Sequence, residues 1–273
     1  MDKEVAELPT IQLPMYVIAT PGSPRADYFR TSRILNNLFD IKYVEAIMLN
    51  DSDLTRLGED SVIPSYAEAY YGRSLKPSEI GCSLSSNIAR VLASKNVASV
   101  IVEDDARFTD PSKTKDLILK FVNESENKAH ILALYDGRLI NAKLKNPNKK
   151  GFSQIVGASA GAVAYVVTQR AAQELTKSNS PVRFLNDWPP TSCKYFICNT
   201  NQVTHGDFPS TIAVDNKFRS GNSYSQRLKF LLFISYFTNK KFFGNFRIYL
   251  TECWIPRAQN FIGNKMFRKL ENY

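Results

Sequence analysis

Residues 97–108 read VASVIVEDDARF. Within them, Ser99–Val102 (SVIV) has no alternation of polar and apolar side chains. That is the pattern of a strand covered on both faces, and such a strand requires helices on either side of its sheet. The run then ends in three successive carboxylates, Glu103, Asp104 and Asp105. The rest of the chain repeats the same grammar. PMYVIAT (Pro14–Thr20), IKYVEAI (Ile41–Ile47), HILALY (His130–Tyr135) and AVAYVVT (Ala162–Thr168) read as further strands. Helical spacing is expected over 26–39, with Phe29, Ile34, Leu35 and Leu38 on one side. It is expected again from Pro77, with Ile80, Leu84, Ile88, Val91 and Leu92 in register, and in QRAAQELTKS after the last strand. Pro77 suits a first helical position, where its missing N–H is not needed. A polar, tyrosine-containing loop is expected up to about Ser74. Strands alternating with helices predict an α/β fold with a mostly parallel central sheet.

In open sheets of this kind ligands bind beyond the carboxyl ends of the strands, and SVIV delivers its three acids to that edge. Alternation predicts Glu103 and Asp105 on the same side. Neighbouring carboxylates repel unless a cation or donor sits between them, and hard oxygen ligands suit Mg²⁺ or Mn²⁺. Such an ion would hold a diphosphate and neutralise it as it leaves. The alternative reading is a solvated acidic turn, with TDPSK starting the next helix. A zinc site is not expected. The chain has four cysteines and two histidines, and none of the cysteines forms a CxxC pair; reduced thiols are expected instead. The first ten residues, MDKEVAELPT, lack an apolar core and are not read as a signal peptide. No run approaches the ~20 apolar residues of a membrane span.

Charge divides the chain. Its 35 basic and 26 acidic residues give a net charge of +9, yet residues 216–273 contain 11 of the basic and only 2 of the acidic ones. The whole excess therefore lies in that segment, together with 14 aromatic residues. Residues 1–215 are read as the main α/β domain and 216–273 as a basic, aromatic-rich helical extension. That extension is expected to pack on the domain and to contact an anionic membrane surface. Basic aromatic segments also bind RNA, but nothing here resembles a nucleic-acid module, and no nucleic acid is expected as a partner.

Four blocks occur in a telling order: LKPSEIGCSLSS (Leu75–Ser86), VIVEDDARF (Val100–Phe108), GAVAYVVTQRAAQEL (Gly161–Leu175) and NDWPP (Asn186–Pro190). Together they resemble glycosyltransferase family 25, the bacterial lipooligosaccharide galactosyltransferase group, over roughly Met15 to Ile212. Glu79, Gly81, Cys82, Leu84 and Ser85 match the family's helix block. Glu103, Asp104 and Asp105 match its acidic block, Gly161 and Tyr165 its strand block, and Asp187 and Trp188 its D-W pair. The chain departs from the pattern at Ser78, where the family has Gly, and at Ser86, where it has His. The second departure puts the choice of substrate in question. The first loop, ATPGSPR, keeps only Pro24 and Arg25 as counterparts of the family's N-L-D-R-R.

The resemblance implies a GT-A-like nucleotide-sugar fold, dependence on Mn²⁺ (or Mg²⁺), and inverting, β-linked transfer of galactose from UDP-galactose to a lipid-linked oligosaccharide acceptor. It implies a cytoplasmic protein, peripheral on the inner membrane. Transfer of glucose or another hexose, and a catalytically silent binding module, are the alternatives. By analogy with the last acid of D-x-D motifs, Asp105 is the expected metal ligand. Asp104 joins the metal shell or touches the donor ribose, and Glu103 anchors the strand end at the donor. His205 is a further candidate metal ligand or a loop histidine bonded to backbone, with Asp207 as fallback. Asp187 is the candidate base or a helix cap ahead of Pro189 and Pro190. Glu79 contacts the donor or complements its helix dipole, and Arg25 approaches uridine and its phosphates or lies on the surface. Cys82 is read as a packing residue.

Overall fold

A computed structural model describes residues 12–54, 56–58, 60–71, 73–135, 143–145, 151–156, 161–186 and 191–206. Asp187, Asp207 and the basic extension 216–273 lie outside the described residues. Strand β1 (Leu13–Ala19) leads through a 3-10 turn, Pro24–Ala26, into α1 (Asp27–Thr31) and α2 (Arg33–Leu38), then β2 (Phe39–Glu45). Next come α3 (Asp51–Leu54), α4 (Pro64–Tyr71) and α5 (Pro77–Ala93), followed by β3 (Ala98–Glu103), β4 (Ala106–Phe108) and α6 (Pro111–Glu124). The remaining elements are β5 (His130–Ala133), β6 (Lys143–Lys145), β7 (Phe152–Val156), β8 (Ala164–Thr168), α7 (Gln169–Asn179), β9 (Lys194–Cys198) and β10 (Val203–His205).

Eight strands form one sheet in the order β2-β1-β3-β8-β5-β9-β7-β6. β1 pairs in parallel with both β2 and β3, and β5 with β9. Following the pairings across the sheet, β8 and β7 run against the other six. The sheet is therefore mostly parallel in strand direction, although AVAYVVT, an inner strand as expected, is antiparallel to both neighbours. Its composition could not reveal this, because a strand buried on both faces presents the same apolar run in either direction.

The period-2 side-chain geometry divides the core. Met15, Val17, Val100 and Val102 face one side, with Phe29, Leu35, Ile118 and Phe121 from α1, α2 and α6. Tyr16, Ile101 and Val167 face the other, against Ala89 and Ala93 of α5 and Ala171, Ala172 and Leu175 of α7. Small residues on α5 and α7 let those helices lie close to the sheet. The helix expected over 26–39 is broken at Ser32, whose extended backbone ends α1 while its hydroxyl caps α2 by accepting from Leu35 N–H. The polar stretch before Ser74 is not all loop; it contains α3 and α4.

One buried cation ties this frame together. Arg90 of α5 is fully buried, and no carboxylate lies within salt-bridge distance among the described residues. Its guanidinium donates to Tyr165 Oη (3.3 Å), Asn87 Oδ1 (3.2 Å), Asn186 Oδ1 (2.6 Å) and the Asn186 carbonyl (3.2 Å). A buried charge is tolerated only where its donors are satisfied, and these bonds lash the end of the 179–186 segment to α5. Asn87 extends the lashing by donating to the Asn179 carbonyl at 2.6 Å.

Candidate functional site

The carboxyl ends of β1, β2 and β3 lie side by side, with Ala19 opposite Glu45 and Ile18 opposite Glu103. A pocket opens beyond them. One end is lined by Ile18, Ala46, Ile47 and Met48 together with the small residues Ser78, Cys82, Ser85 and Ser86 of α5. The other end is lined by Ser23, Arg25, Glu103, Asp104, Asp105 and His205. The α5 wall can approach closely because Gly81 has no side chain, and Ser85 clasps it: its hydroxyl donates to the Gly81 carbonyl (2.7 Å) and accepts from Ile47 N–H (2.8 Å).

The acidic end owes its shape to a change of direction. β3 stops at Glu103, and Asp104 and Asp105 occupy a turn before β4. Strand alternation therefore does not govern the triplet, and Asp104 and Asp105 both approach Arg25, whose Nη1 lies 4.0 Å from Asp104 Oδ1 and 3.7 Å from Asp105 Oδ2. Ser23 Oγ donates to Asp104 Oδ2 at 2.9 Å. Arg107 cross-ties the two loops: Nη1 donates to the Asp104 carbonyl at 3.0 Å and Nη2 to the Arg25 carbonyl at 3.2 Å, while the guanidinium rests over the Tyr28 ring.

His205 arrives from β10, which pairs antiparallel with β4 and sets His205 opposite Ala106. Its Nε2 lies 3.3 Å from Asp105 Oδ2, and Gly206 N–H donates to the Asp105 carbonyl at 2.7 Å. Its Nδ1 lies 3.1 Å from the Gly206 carbonyl. That carbonyl can only accept, so the contact is a hydrogen bond only with the proton on Nδ1, and Nε2 is the nitrogen that faces the Asp105 carboxylate. Asp105 is buried, and among the described residues its Oδ1 has no hydrogen-bond partner. An orphaned carboxylate oxygen in a pocket wall is costly unless a ligand completes it.

These donors fit a hard or borderline divalent ion shared with a ligand. Among the described residues no three His, Cys, Asp or Glu side chains form a ready-made metal cage. Ions such as Mg²⁺ are commonly held by one or two carboxylates and completed by substrate phosphates.

Burial pushes the Asp104 carboxyl above its usual range; the Ser23 hydrogen bond opposes this, the Asp105 charge adds to it, and Arg25 and Arg107 offset it in part. Because its folded value is raised, the stability Asp104 contributes is present below the unfolded value near pH 4 and is lost as pH rises through the folded value. Asp104→Asn is therefore expected to raise the thermal midpoint of the metal-free protein at pH 7 and to flatten its pH dependence above pH 4. Calorimetry across pH checks this; a lowered midpoint would refute it.

Glu79 is not among the residues lining the pocket. Its carboxylate takes two bonds from Arg73 (2.6 and 2.7 Å) and one from Lys76 N–H (2.8 Å) at the start of α5. Burial alone would raise its pKa, but these bonds outweigh that and hold it low. It serves the helix terminus, while its neighbours Ser78 and Cys82 reach the pocket. Arg25, in contrast, is drawn into the site with only 15% of its side chain exposed. Cys82, Cys193 and Cys198 are free thiols, and burial pushes the last two up to about 12, which keeps them protonated. Ser23 and Arg107 escaped the sequence reading. Ser23-Pro24 has the signature of a cap, whereas Arg107 ties its own turn to the Arg25 carbonyl 82 residues away, and that link leaves no local pattern.

A pocket at the carboxyl edge of a mostly parallel sheet, acidic at one end and lined by small and apolar side chains at the other, lies where open α/β sheets of nucleotide-dependent enzymes bind their ligands. The sequence profile described as Glycosyltransferase family 25 (LPS biosynthesis protein) matches residues 13–188, and the chain belongs to that family. It is 33% identical over 172 residues to the probable inactive glycosyltransferase 25 family member 3 of Bos taurus, covering 57% of this chain and 28% of that protein. It is 40% identical over 85 residues to procollagen galactosyltransferase 1-B of Xenopus laevis, covering 29% and 14%. It is 31% identical over 163 residues to human procollagen galactosyltransferase 2, covering 55% and 26%. The aligned part of the chain thus spans less than a third of the length of these curated relatives. Among solved structures, that of mannose-1-phosphate geranyltransferase from Thermus thermophilus aligns over 71% of this chain and 75% of its own, with a TM-score of 0.35 and 8% identity. That likeness is too distant to bear on fold or chemistry.

Proposed function

We propose that the chain is an inverting, metal-dependent galactosyltransferase with a GT-A-like domain, moving galactose from UDP-galactose to a lipooligosaccharide or lipopolysaccharide acceptor. The observation that carries the reading is the convergence of Asp104, Asp105, Arg25 and His205 on one pocket, with Asp105 Oδ1 left unpartnered, in a chain of family 25. The galactosyltransferase relatives favour galactose, and the description of the family favours a lipopolysaccharide acceptor.

Asp105, Asp104 and His205 would hold Mn²⁺ or Mg²⁺. When bound, the ion supplies neutralisation of the diphosphate leaving group. Arg25 adds positive charge beside the phosphates. Ser23 and Arg107 hold the Asp104 and Arg25 loops in register, so the charged groups are oriented before the donor arrives. The other end, with Ile47, Met48, Cys82 and the serines of α5, takes the nucleoside, and Glu103 lines the acidic end. Transfer is an in-line displacement: the bond from acceptor oxygen to the sugar's anomeric carbon forms as the bond to the β-phosphate oxygen breaks, and its electron pair leaves with UDP. The acceptor proton goes to a carboxylate, for which Asp187, just beyond the Arg90-bound Asn186, is the candidate.

The basic segment 216–273 suits docking on an anionic leaflet that carries a lipid-linked acceptor, on the cytoplasmic side. Among the described residues no helix is long and apolar enough to cross a membrane. One relative bears the name of a probable inactive member, so a silent binding module is the second reading. Incubation with Mn²⁺, acceptor and single UDP-sugars distinguishes them. UDP release with UDP-galactose is the expected result. Release only with UDP-glucose would change the donor, and no release with any sugar would leave the binding module.

A further inference from the structure

Arg25 stands where two cations cannot. Its Nη1 is 3.7 Å from Asp105 Oδ2 and 4.0 Å from Asp104 Oδ1, near enough for an ion pair but beyond the 2.7–2.9 Å typical of charge-assisted hydrogen bonds. The pairing to these two carboxylates is therefore electrostatic rather than locked by a short hydrogen bond. The backbone of the residue, by contrast, is pinned. Its N–H donates to Ser23 Oγ at 3.3 Å, its carbonyl accepts from Arg107 Nη2 at 3.2 Å, and Pro24 opens the 3-10 turn that contains it. A side chain on a fixed backbone can redirect its guanidinium without disturbing the loop. The acid it faces has one oxygen, Asp105 Oδ1, with no hydrogen-bond partner among the described residues, so the guanidinium only partly compensates the site.

We propose that Arg25 is the built-in counter-cation of the pocket: it neutralises Asp104 and Asp105 while the site lacks a divalent ion, competes with that ion for them, and turns to the donor's diphosphate once the ion is bound. This rests on the reading of the site as one that takes a divalent ion and a nucleoside diphosphate. Like charges at a few ångströms repel strongly in a partly buried site. If Asp105 held a divalent ion, the guanidinium would be repelled from it, and a diphosphate bound in the pocket would be the anion for Arg25 to turn to. Among the described residues, three other charged or titratable groups border the pair. Glu103 adds negative charge to the acidic end, Arg107 is committed to backbone carbonyls and the Tyr28 ring, and His205 abuts Asp105 from the opposite strand.

The signature is a pair of effects with opposite signs, which a residue needed only for folding would not produce. Full-length wild type, Arg25→Gln, Arg25→Met and Arg25→Lys are titrated with Mn²⁺ alone by calorimetry, then with UDP at saturating Mn²⁺. Thermal midpoints select the neutral variant that keeps the wild-type transition. That variant is expected to bind Mn²⁺ alone about tenfold more tightly and UDP about tenfold more weakly, with Arg25→Lys between it and wild type on both counts. Equal or weaker Mn²⁺ binding by the neutral variant, with wild type binding normally, would overturn the counter-cation role and leave the site reading standing. Absence of Mn²⁺ binding in wild type, with and without UDP, would overturn both.

Discussion

On the proposed function, Asp105→Asn is expected to keep the fold and to remove nearly all transfer activity. The substitution preserves the volume of a buried side chain; what it weakens is the contact of Oδ2 with Arg25 (3.7 Å) and His205 (3.3 Å), neither of them a short hydrogen bond, so the thermal midpoint is expected to stay within a few degrees of wild type. What disappears is the negative charge that would hold a divalent ion against the departing diphosphate. Stabilisation of that kind is worth several kcal/mol, and each ~1.4 kcal/mol is a tenfold change in rate. A fall of about 10²- to 10³-fold in kcat/KM for UDP-sugar is therefore expected, with Mn²⁺ affinity reduced alongside. UDP-release kinetics and metal titration measure the two effects. A variant with wild-type turnover and wild-type metal binding would remove Asp105 from the mechanism.

Gly81→Ala should have the largest structural effect of any single methyl group near the pocket. In an ordinary helix this exchange gains about 1 kcal/mol. Here the new Cβ would sit 2.3 Å from the Ile47 carbonyl oxygen and 3.3 Å from the Ile47 carbonyl carbon. Backbone cannot swing aside as a flexible side chain can. Either α5 retreats or the Ala46–Met48 segment moves, and both form pocket walls. Overpacking of this kind costs about 3 kcal/mol, which outweighs the propensity gain and lowers the midpoint by about 4–8 °C. Nucleotide affinity should fall with it, because the Ser85 clasp joins the same two segments. Gly58→Ala is the control, since a Cβ there meets nothing within 4 Å and should be nearly neutral. Equal behaviour of the two variants in calorimetry and UDP binding would show that the close approach is not required.

The legible parts of this fold are those whose cause is local. α5 is readable from Pro77 and its apolar spacing, and it runs from Pro77 to Ala93. β3 is readable from its uninterrupted apolar run, and Asp110 ahead of Pro111 duly caps α6 by accepting from Lys113 N–H. The break at Ser32 is hidden because the apolar residues on its two sides keep a plausible helical spacing, and only the hydroxyl's choice of Leu35 N–H reveals it. β4 and β10 are hidden because three residues carry no periodicity. Yet their pairing is what brings His205 to Asp105.

By itself the sequence determined an α/β chain with helices on both faces of its sheet, an acid-tipped strand at the ligand edge and membership of a sugar-transferase family, because periodicity, capping and motif are properties of neighbouring residues. Only the tertiary structure decided that β8 runs backwards between β3 and β5, that Glu79 serves its helix terminus, and that Arg25 lies in the site. Ser23 reaches Asp104 across 81 residues of chain, and such a contact depends on where whole elements dock. Docking is set by complementary shape and charge over the entire sheet, and a local pattern holds no record of it.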